Sequence, residues 1–247
     1  MQYLNLDKLE AISADGFRQR APYPWVNVPD ILTDEGFGRL RQSLPEVELF
    51  ERRVGVKRAF GQGYHDRYIL HYKPELPLEE PWREFLAEIQ GRTYESFVRR
   101  MFGLRPRDTY VLTMEWYYGW QGCAVSPHCD ARRKLATHIF YFNTQEDWDP
   151  GWGGEILIMD DGRRRKTHSA PHFEDLEVAA SIDPRGNGSL LFQRTRHSWH
   201  GVRPLLSPPG HLRKLFLITI NVPTVQVLWR RLRGKDPDGY SIIAKAG

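Results

Sequence analysis

The chain lacks the residues that build secreted, disulfide-framed or membrane-spanning proteins. It has two cysteines in 247 residues, Cys123 and Cys129. That is too few for a disulfide framework, and a reducing compartment is the expectation. No apolar run reaches the ~18 residues that a membrane span needs. The first residues, MQYLNLDKLEAISADGF, carry acids and no apolar signal region, so a cytoplasmic protein is expected. No repeat, low-complexity tract or long linker divides the sequence, which reads as a single domain over 1–247. With 40% hydrophobic and 13% aromatic residues, the chain can build a sizeable core, which excludes intrinsic disorder.

The net charge is +4 and the pI about 9.1. The excess is concentrated in Arg163-Arg164-Arg165-Lys166 and in Arg230-Arg231-Leu232-Arg233-Gly234-Lys235. Such runs can bind nucleic acid or an acidic substrate. Neither is interleaved with the aromatics that base stacking uses, so both are expected to be solvated, in a loop and a tail.

Two regions differ in character. Pro22 to Val28 reads as an extended strand. Thr33-Asp34-Glu35-Gly36 reads as an N-cap with an acidic first turn, opening a short helix to about Leu44. Within 79–102, Trp82, Phe85, Leu86 and Ile89 follow one helical face, and Tyr94, Phe97, Val98 and Met101 continue it after Gly91. Residues 1–108 are therefore expected to be an extended and helical support layer. From 109 the pattern becomes β-rich, with strand-like runs at 109–118, 135–143, 154–159, 177–182, 188–193, 198–205 and 213–222. Turn signals such as Asp149-Pro150-Gly151 and Ser207-Pro208-Pro209-Gly210 separate them. Many short strands at this spacing predict a mainly β, α+β fold over 109–222, either a barrel or a double-sheet jelly roll. Residues 223–247 read as a short basic helix and a tail.

The chemistry is concentrated in His128-Cys129-Asp130 and in His200, which lies far downstream. A His and a carboxylate at i and i+2 point the same way from an extended segment. A second His from another strand can complete one triangular face of a metal. Two imidazoles and a carboxylate leave open positions, the ligand set of non-haem Fe(II) oxygenases. Cys129, between the ligands, is expected to face away and pack. His197 competes with His200, but three residues along a strand place the two on opposite faces. His138, His168, His172 and His211 have no comparable partners.

The stretch 109–222 resembles the Fe(II)/2-oxoglutarate dioxygenases, in their prolyl-4-hydroxylase-like branch. Tyr118 precedes Pro127-His128-Cys129-Asp130. Tyr141-Phe142-Asn143, then Trp152-Gly153-Gly154-Glu155-Ile156-Leu157, Pro184 through Phe192, and Ser198-Trp199-His200-Gly201-Val202 follow in the family's order, and Arg213 opens the last core strand. The resemblance implies a double-stranded β-helix supported by N-terminal helices. It implies Fe(II) on His128, Asp130 and His200, with 2-oxoglutarate and O₂ as co-substrates, and it leaves room for ascorbate. It assigns the distal carboxylate of 2-oxoglutarate to Arg213 and Tyr141, and a place in the co-substrate pocket to Tyr118. Arg213 lies thirteen residues after His200, more than is usual, and Lys214 is its rival, since a one-residue shift exchanges the two faces. The planar fork of an arginine suits a carboxylate better. Asp130 predicts hydroxylation rather than halogenation, which needs a small residue there. The segment 160–187 is longer than a hairpin needs and is either a substrate lid or a solvated insertion.

The leading expectation is hydroxylation of a C–H bond in a peptidyl, amino-acid or small-molecule substrate, releasing succinate and CO₂. Oxidative nucleic-acid demethylation is the alternative within the superfamily, favoured weakly by the basic pI. A non-enzymatic cupin-like binding module is the alternative outside it. That module would need neither an arginine for 2-oxoglutarate nor an open metal face. The sequence leaves substrate identity and oligomeric state undetermined.

Overall fold

Alternation along three long strands sets the architecture. In β4 (Val111–Gly119) the even positions Leu112, Met114, Trp116 and Tyr118 belong to one apolar cluster, whereas Glu115 and Tyr117 point the other way. β6 (Lys134–Tyr141) and β11 (Arg213–Asn221) repeat the pattern. Ala136, Phe140, Phe216, Ile218 and Ile220 join the same cluster. Such period-2 strands must be covered on the even face and can carry chemistry on the odd one.

The computed structural model describes residues 1–56, 59–63, 65–223 and 240–241. Five helices supply the cover: α1 (Leu6–Ala11), α2 (Ala14–Gln19), α3 (Asp34–Gln42), α4 (Glu80–Ile89) and α5 (Arg92–Phe102). The helix expected after Thr33 is α3, and the Thr33 hydroxyl accepts the Gly36 N–H at 3.1 Å. The pattern over 79–102 forms two helices, α4 and α5, with Gly91 as the N-cap of the second. Trp82 of α4 is fully buried, with ring centroids 5.0 Å from Trp116, 5.2 Å from Phe216 and 5.3 Å from Phe142. Burying one such aromatic contributes about 3 kcal/mol.

The remaining strands are β1 (Trp25–Pro29), β2 (Glu51–Arg53), β3 (Arg67–His71), β5 (Val125–His128), β7 (Ile156–Asp160), β8 (Glu177–Ile182), β9 (Gly188–Gln193), β10 (Trp199–Val202) and the short β12 (Tyr240–Ser241). The major sheet runs β1-β9-β6-β11-β4-β3-β2, with β12 on β4, and the minor sheet runs β5-β10-β7-β8. The pairings between these strands are antiparallel. The result is a double-stranded β-helix, or jelly roll, with helices behind the major sheet. A second apolar cluster, including Ile139, Ile156, Ile158, Leu190, Phe192, Leu215 and Leu217, fills the space between the sheets.

One boundary differs from expectation. Residues 1–108 are not only a support layer, because β1, β2 and β3 extend the major sheet on both sides of the core strands. β2 and β3 carry several charges and no clean alternation, so their sequences gave no strand signal. The segment 160–187 is largely ordered: Glu177–Ile182 pairs with β7. The Arg163–Lys166 run is a tight turn organised by Asp161, whose carboxylate accepts the N–H groups of Arg163 and Arg165 at 3.0 and 2.9 Å. Most of the tail expected over 223–247, including its basic cluster, lies outside the described residues. Among the described residues no helix is long and apolar enough to cross a membrane.

Candidate metal and co-substrate site

Pairing between β5 and β10 brings the two histidines together. His128 and His200 are direct cross-strand partners, and such partners share a face. Their ring centroids are 4.3 Å apart. Asp130 follows His128 by two residues and returns to the same side. One ligand atom from each of the three lies within 4.8 Å of the others. The ring orientations are set locally. His128 Nδ1 donates to the Ser126 carbonyl and His200 Nδ1 to the Ser198 carbonyl, both at 3.0 Å. A carbonyl only accepts, so each Nδ1 carries its hydrogen and Nε2 is the nitrogen left to ligate a metal when the ring is neutral. Close packing enforces the register: a Cβ on Gly201 would come within 2.8 Å of the Val125 carbonyl oxygen.

Asp130 is held by groups the sequence did not single out. Lys134 Nζ donates to Oδ1 and the Thr137 hydroxyl to Oδ2, each at 2.9 Å. Arg194 Nε donates to the Asp130 carbonyl at 3.1 Å. Burial opposes ionisation of Asp130, but Lys134 and the two histidines outweigh it and hold the carboxyl far below the usual range. Lys134 is thus not the solvated residue its Arg132-Arg133-Lys134 context suggests. His197 takes no part. It faces the other way and donates through Nδ1 to the buried Asp161 carboxylate at 3.0 Å. Cys129 packs with Leu157, Met159 and Trp199, and burial pushes its thiol up to about 12. Both cysteines are free thiols.

Arg213 is buried on the odd face of β11, and Lys214 is on the even face opposite Tyr118. That register puts Arg213, and not Lys214, in the wall of the main cavity. Burial lowers the Arg213 pKa to about 10, with Tyr141 and Glu155 acting against it. Its Nε and Nη2 are buried without a hydrogen-bond partner, as is the Tyr141 hydroxyl. Gly154, at φ 96°, clears the space: a Cβ there would approach Arg213 Cδ to 3.0 Å. A buried guanidinium and a buried phenol lacking partners are costly. Together they fit one end of a dicarboxylate.

Tyr118 does not line this space. It lies on the even face, where its hydroxyl donates to the Pro45 carbonyl at 2.9 Å and its ring packs on Phe50 at 4.3 Å. It is absent from the main cavity's lining and shares with Arg213 a side cavity of about 30 Å³. The neighbouring Tyr117 faces the main cavity instead. Tyr117 and Tyr118 thus stand on opposite faces, because in a strand one residue is a change of face.

The triad and Arg213 open onto one cavity of about 560 Å³, walled by apolar residues such as Ile139, Ile156, Phe192, Leu215 and Leu217. This is the size and make-up of a small-ligand site. The donor set, the orphaned cation and the cradle at Gly154 fit Fe(II) and 2-oxoglutarate.

Comparison with known proteins agrees. Residues 114–220 match the model of the 2OG-Fe(II) oxygenase superfamily. A Pseudomonas putida prolyl-4-hydroxylase superposes with a TM-score of 0.59 at 14% identity, covering 87% of this chain and all of that one. A Trichoplax adhaerens prolyl hydroxylase, solved with a hypoxia-inducible-factor peptide, gives 0.58 at 16%, covering 88% and 90%. The carbocyclase SnoK of nogalamycin biosynthesis gives 0.60 at 13%, covering 96% and 98%. No curated protein matches the sequence. The chain therefore carries a domain of the 2OG-Fe(II) oxygenase superfamily on a prolyl-4-hydroxylase-like fold. The match implies a 2-oxoglutarate-dependent dioxygenase that uses Fe(II), 2-oxoglutarate and O₂.

Proposed function

We propose that the enzyme hydroxylates an unactivated C–H bond of a peptidyl, amino-acid or other small-molecule substrate, with succinate and CO₂ as co-products. His128, Asp130 and His200 are the iron ligands in this reading, and Arg213 with Tyr141 anchors the distal carboxylate of 2-oxoglutarate. The observation that carries it is the buried Arg213 guanidinium, without a hydrogen-bond partner at Nε and Nη2, on the wall of the cavity that the triad borders.

Fe(II), together with 2-oxoglutarate and O₂, supplies the oxidising power for C–H cleavage. The protein's own residues supply placement. The Ser126 and Ser198 carbonyls fix the imidazoles. Lys134 and Thr137 fix the carboxylate, and Lys134 keeps it ionised. Arg213 offers a charged partner to an anion that would otherwise be buried alone. Leu215, Leu217 and Ile139 keep water from the walls between them. Asp130 fills the ligand position that a halogenating enzyme leaves vacant, which favours hydroxylation.

The test is mass spectrometry of candidate substrates incubated with the enzyme, Fe(II), 2-oxoglutarate and ¹⁸O₂. The reading expects products carrying one heavy oxygen, in step with succinate. Products lacking one hydrogen pair, or an epimerised product with no added oxygen, would replace hydroxylation by another oxidation.

A further inference from the structure

The major sheet carries a line of arginines across neighbouring strands. Arg53 of β2 is the cross-strand partner of Arg67 of β3. One step on from the Tyr68–Tyr118 pair, Arg67 lies opposite Gly119 of β4, and Gly119 pairs with Arg213 of β11. Arg53, Arg67, Gly119 and Arg213 therefore form one row, and all three arginines line the main cavity. Two strand spacings put the Arg67 and Arg213 backbones roughly 10 Å apart. Gly119 adds no side chain between them.

A 2-oxoglutarate molecule has two carboxylates. In the proposed function one lies at the metal and the other at Arg213, so neither is left for Arg67. Yet Arg67 also has a site-like environment. Its Nη1 donates to the His65 carbonyl at 2.7 Å, and its guanidinium lies 4.8 Å from the Tyr117 ring centroid. Its Nε is buried and has no hydrogen-bond partner. Arg53 beside it is steadied by Glu51, at 2.8 and 3.0 Å. Arg132 and Lys134 line the same cavity, and the only acid among its described lining residues is Asp130, which Lys134 already neutralises. The adjoining rim is apolar: Val54, Val56 and Phe60 are more than half exposed, and Phe60 stacks on His168 at 4.4 Å.

Resting on the proposed function, we infer that Arg67, supported by Arg53, is a second anion position of the cavity and binds a carboxylate or phosphate of the substrate. The substrate class is an amphipathic molecule, with an apolar body against Val56 and Phe60 and an anionic group at Arg67. Arg67 is a specificity residue in this scheme, and Arg213 remains the co-substrate anchor.

Calorimetric titration of phenylacetate, phenyl phosphate and neutral phenylacetamide into the anaerobic Fe(II)–2-oxoglutarate enzyme tests this. Expected is binding of at least one anion and not of the amide, with the stronger anion identifying carboxylate or phosphate. Arg67→Gln should weaken that binding about tenfold or more, and Arg67→Lys less, since it keeps charge but loses the fork. Both variants should keep 2-oxoglutarate affinity within about twofold, because a separate site is being altered. Equal binding of amide and anions, no binding of either anion, or unchanged anion binding in Arg67→Gln would overturn the second site. So would loss of 2-oxoglutarate affinity in Arg67→Gln, which would place Arg67 in the co-substrate site. Failure of the wild type to bind 2-oxoglutarate at all would instead overturn the functional reading beneath it.

Discussion

The two faces of the major sheet are made from the same strands and carry opposite chemistry. The even face of β4, β6 and β11 is packed with Trp116, Phe140, Phe216 and Ile218 against α4 and α5. The odd face presents Glu115, Tyr117, Thr137, Tyr141 and Arg213 to the space between the sheets. One face provides the burial that holds the fold. The other spends some of that stability on buried polar groups, of which Tyr141 and Arg213 hold atoms without partners. Adjacent residues can thus have unrelated roles, as Tyr117 and Tyr118 do.

Mutations on the two faces should separate stability from ligand binding. The largest effect is expected on the even face: Trp82→Ala should cost about 3–5 kcal/mol of stability, read by denaturant unfolding. An unfolding midpoint close to wild type would mean that α4 is not part of the core. On the odd face, Arg213→Gln should weaken 2-oxoglutarate binding roughly a hundredfold, about 2–3 kcal/mol, with little loss of stability because a buried unpaired charge is removed at the same time. Calorimetry and thermal unfolding on one sample check both halves.

Between these lies the support of Asp130. Thr137→Val removes one of its two hydrogen bonds and should lower metal affinity about 10- to 100-fold. A chelator competition assay would expose the idea as wrong if affinity did not change.

His138 gives the even face a pH signature. It is buried, its Nδ1 meets the Tyr94 hydroxyl at 2.9 Å, and burial pushes its pKa down from 6.5 to about 3. The unfolded chain takes up a proton below 6.5 while the folded one does not. Its stabilising contribution is therefore full above 6.5 and is lost as the pH falls from there toward about 3, at up to about 1.4 kcal/mol per pH unit. His138→Gln should flatten that slope in denaturant unfolding across acid pH. A slope identical to wild type would assign acid sensitivity elsewhere.

The smallest effect is expected at Tyr118. Tyr118→Phe loses one hydrogen bond to Pro45, about 1 kcal/mol of stability, and should leave 2-oxoglutarate affinity untouched. A large loss of affinity would return Tyr118 to the pocket.

Much of this was legible in the sequence where periodicity or local chemistry carried it. The helical face of Trp82, Phe85, Leu86 and Ile89 became α4, and the runs at 177–182 and 188–193 are β8 and β9. His128, Asp130 and His200 were legible as a ligand set, and the structure gathers them because β5 and β10 pair at those two histidines. The face that Tyr118 takes was not legible, because a motif match fixes a neighbourhood, whereas the face depends on a one-residue register. Lys134 and Thr137 were missed because their partner, Asp130, lies across a turn rather than along their strand. Arg53 and Arg67 were missed because β2 and β3 have no alternation to announce them, and their meaning comes only from lying in a row with Arg213.

The most direct test of the central claim is anaerobic titration of 2-oxoglutarate into the Fe(II)-loaded enzyme, following the weak visible metal-to-ligand charge-transfer band. Wild type and Tyr118→Phe should develop the same band at the same concentration. Arg213→Gln should need roughly a hundredfold more co-substrate, and His200→Ala should show no band. A wild type that binds iron yet gives no band would contradict the account. So would a band that is indifferent to Arg213 but lost with Tyr118.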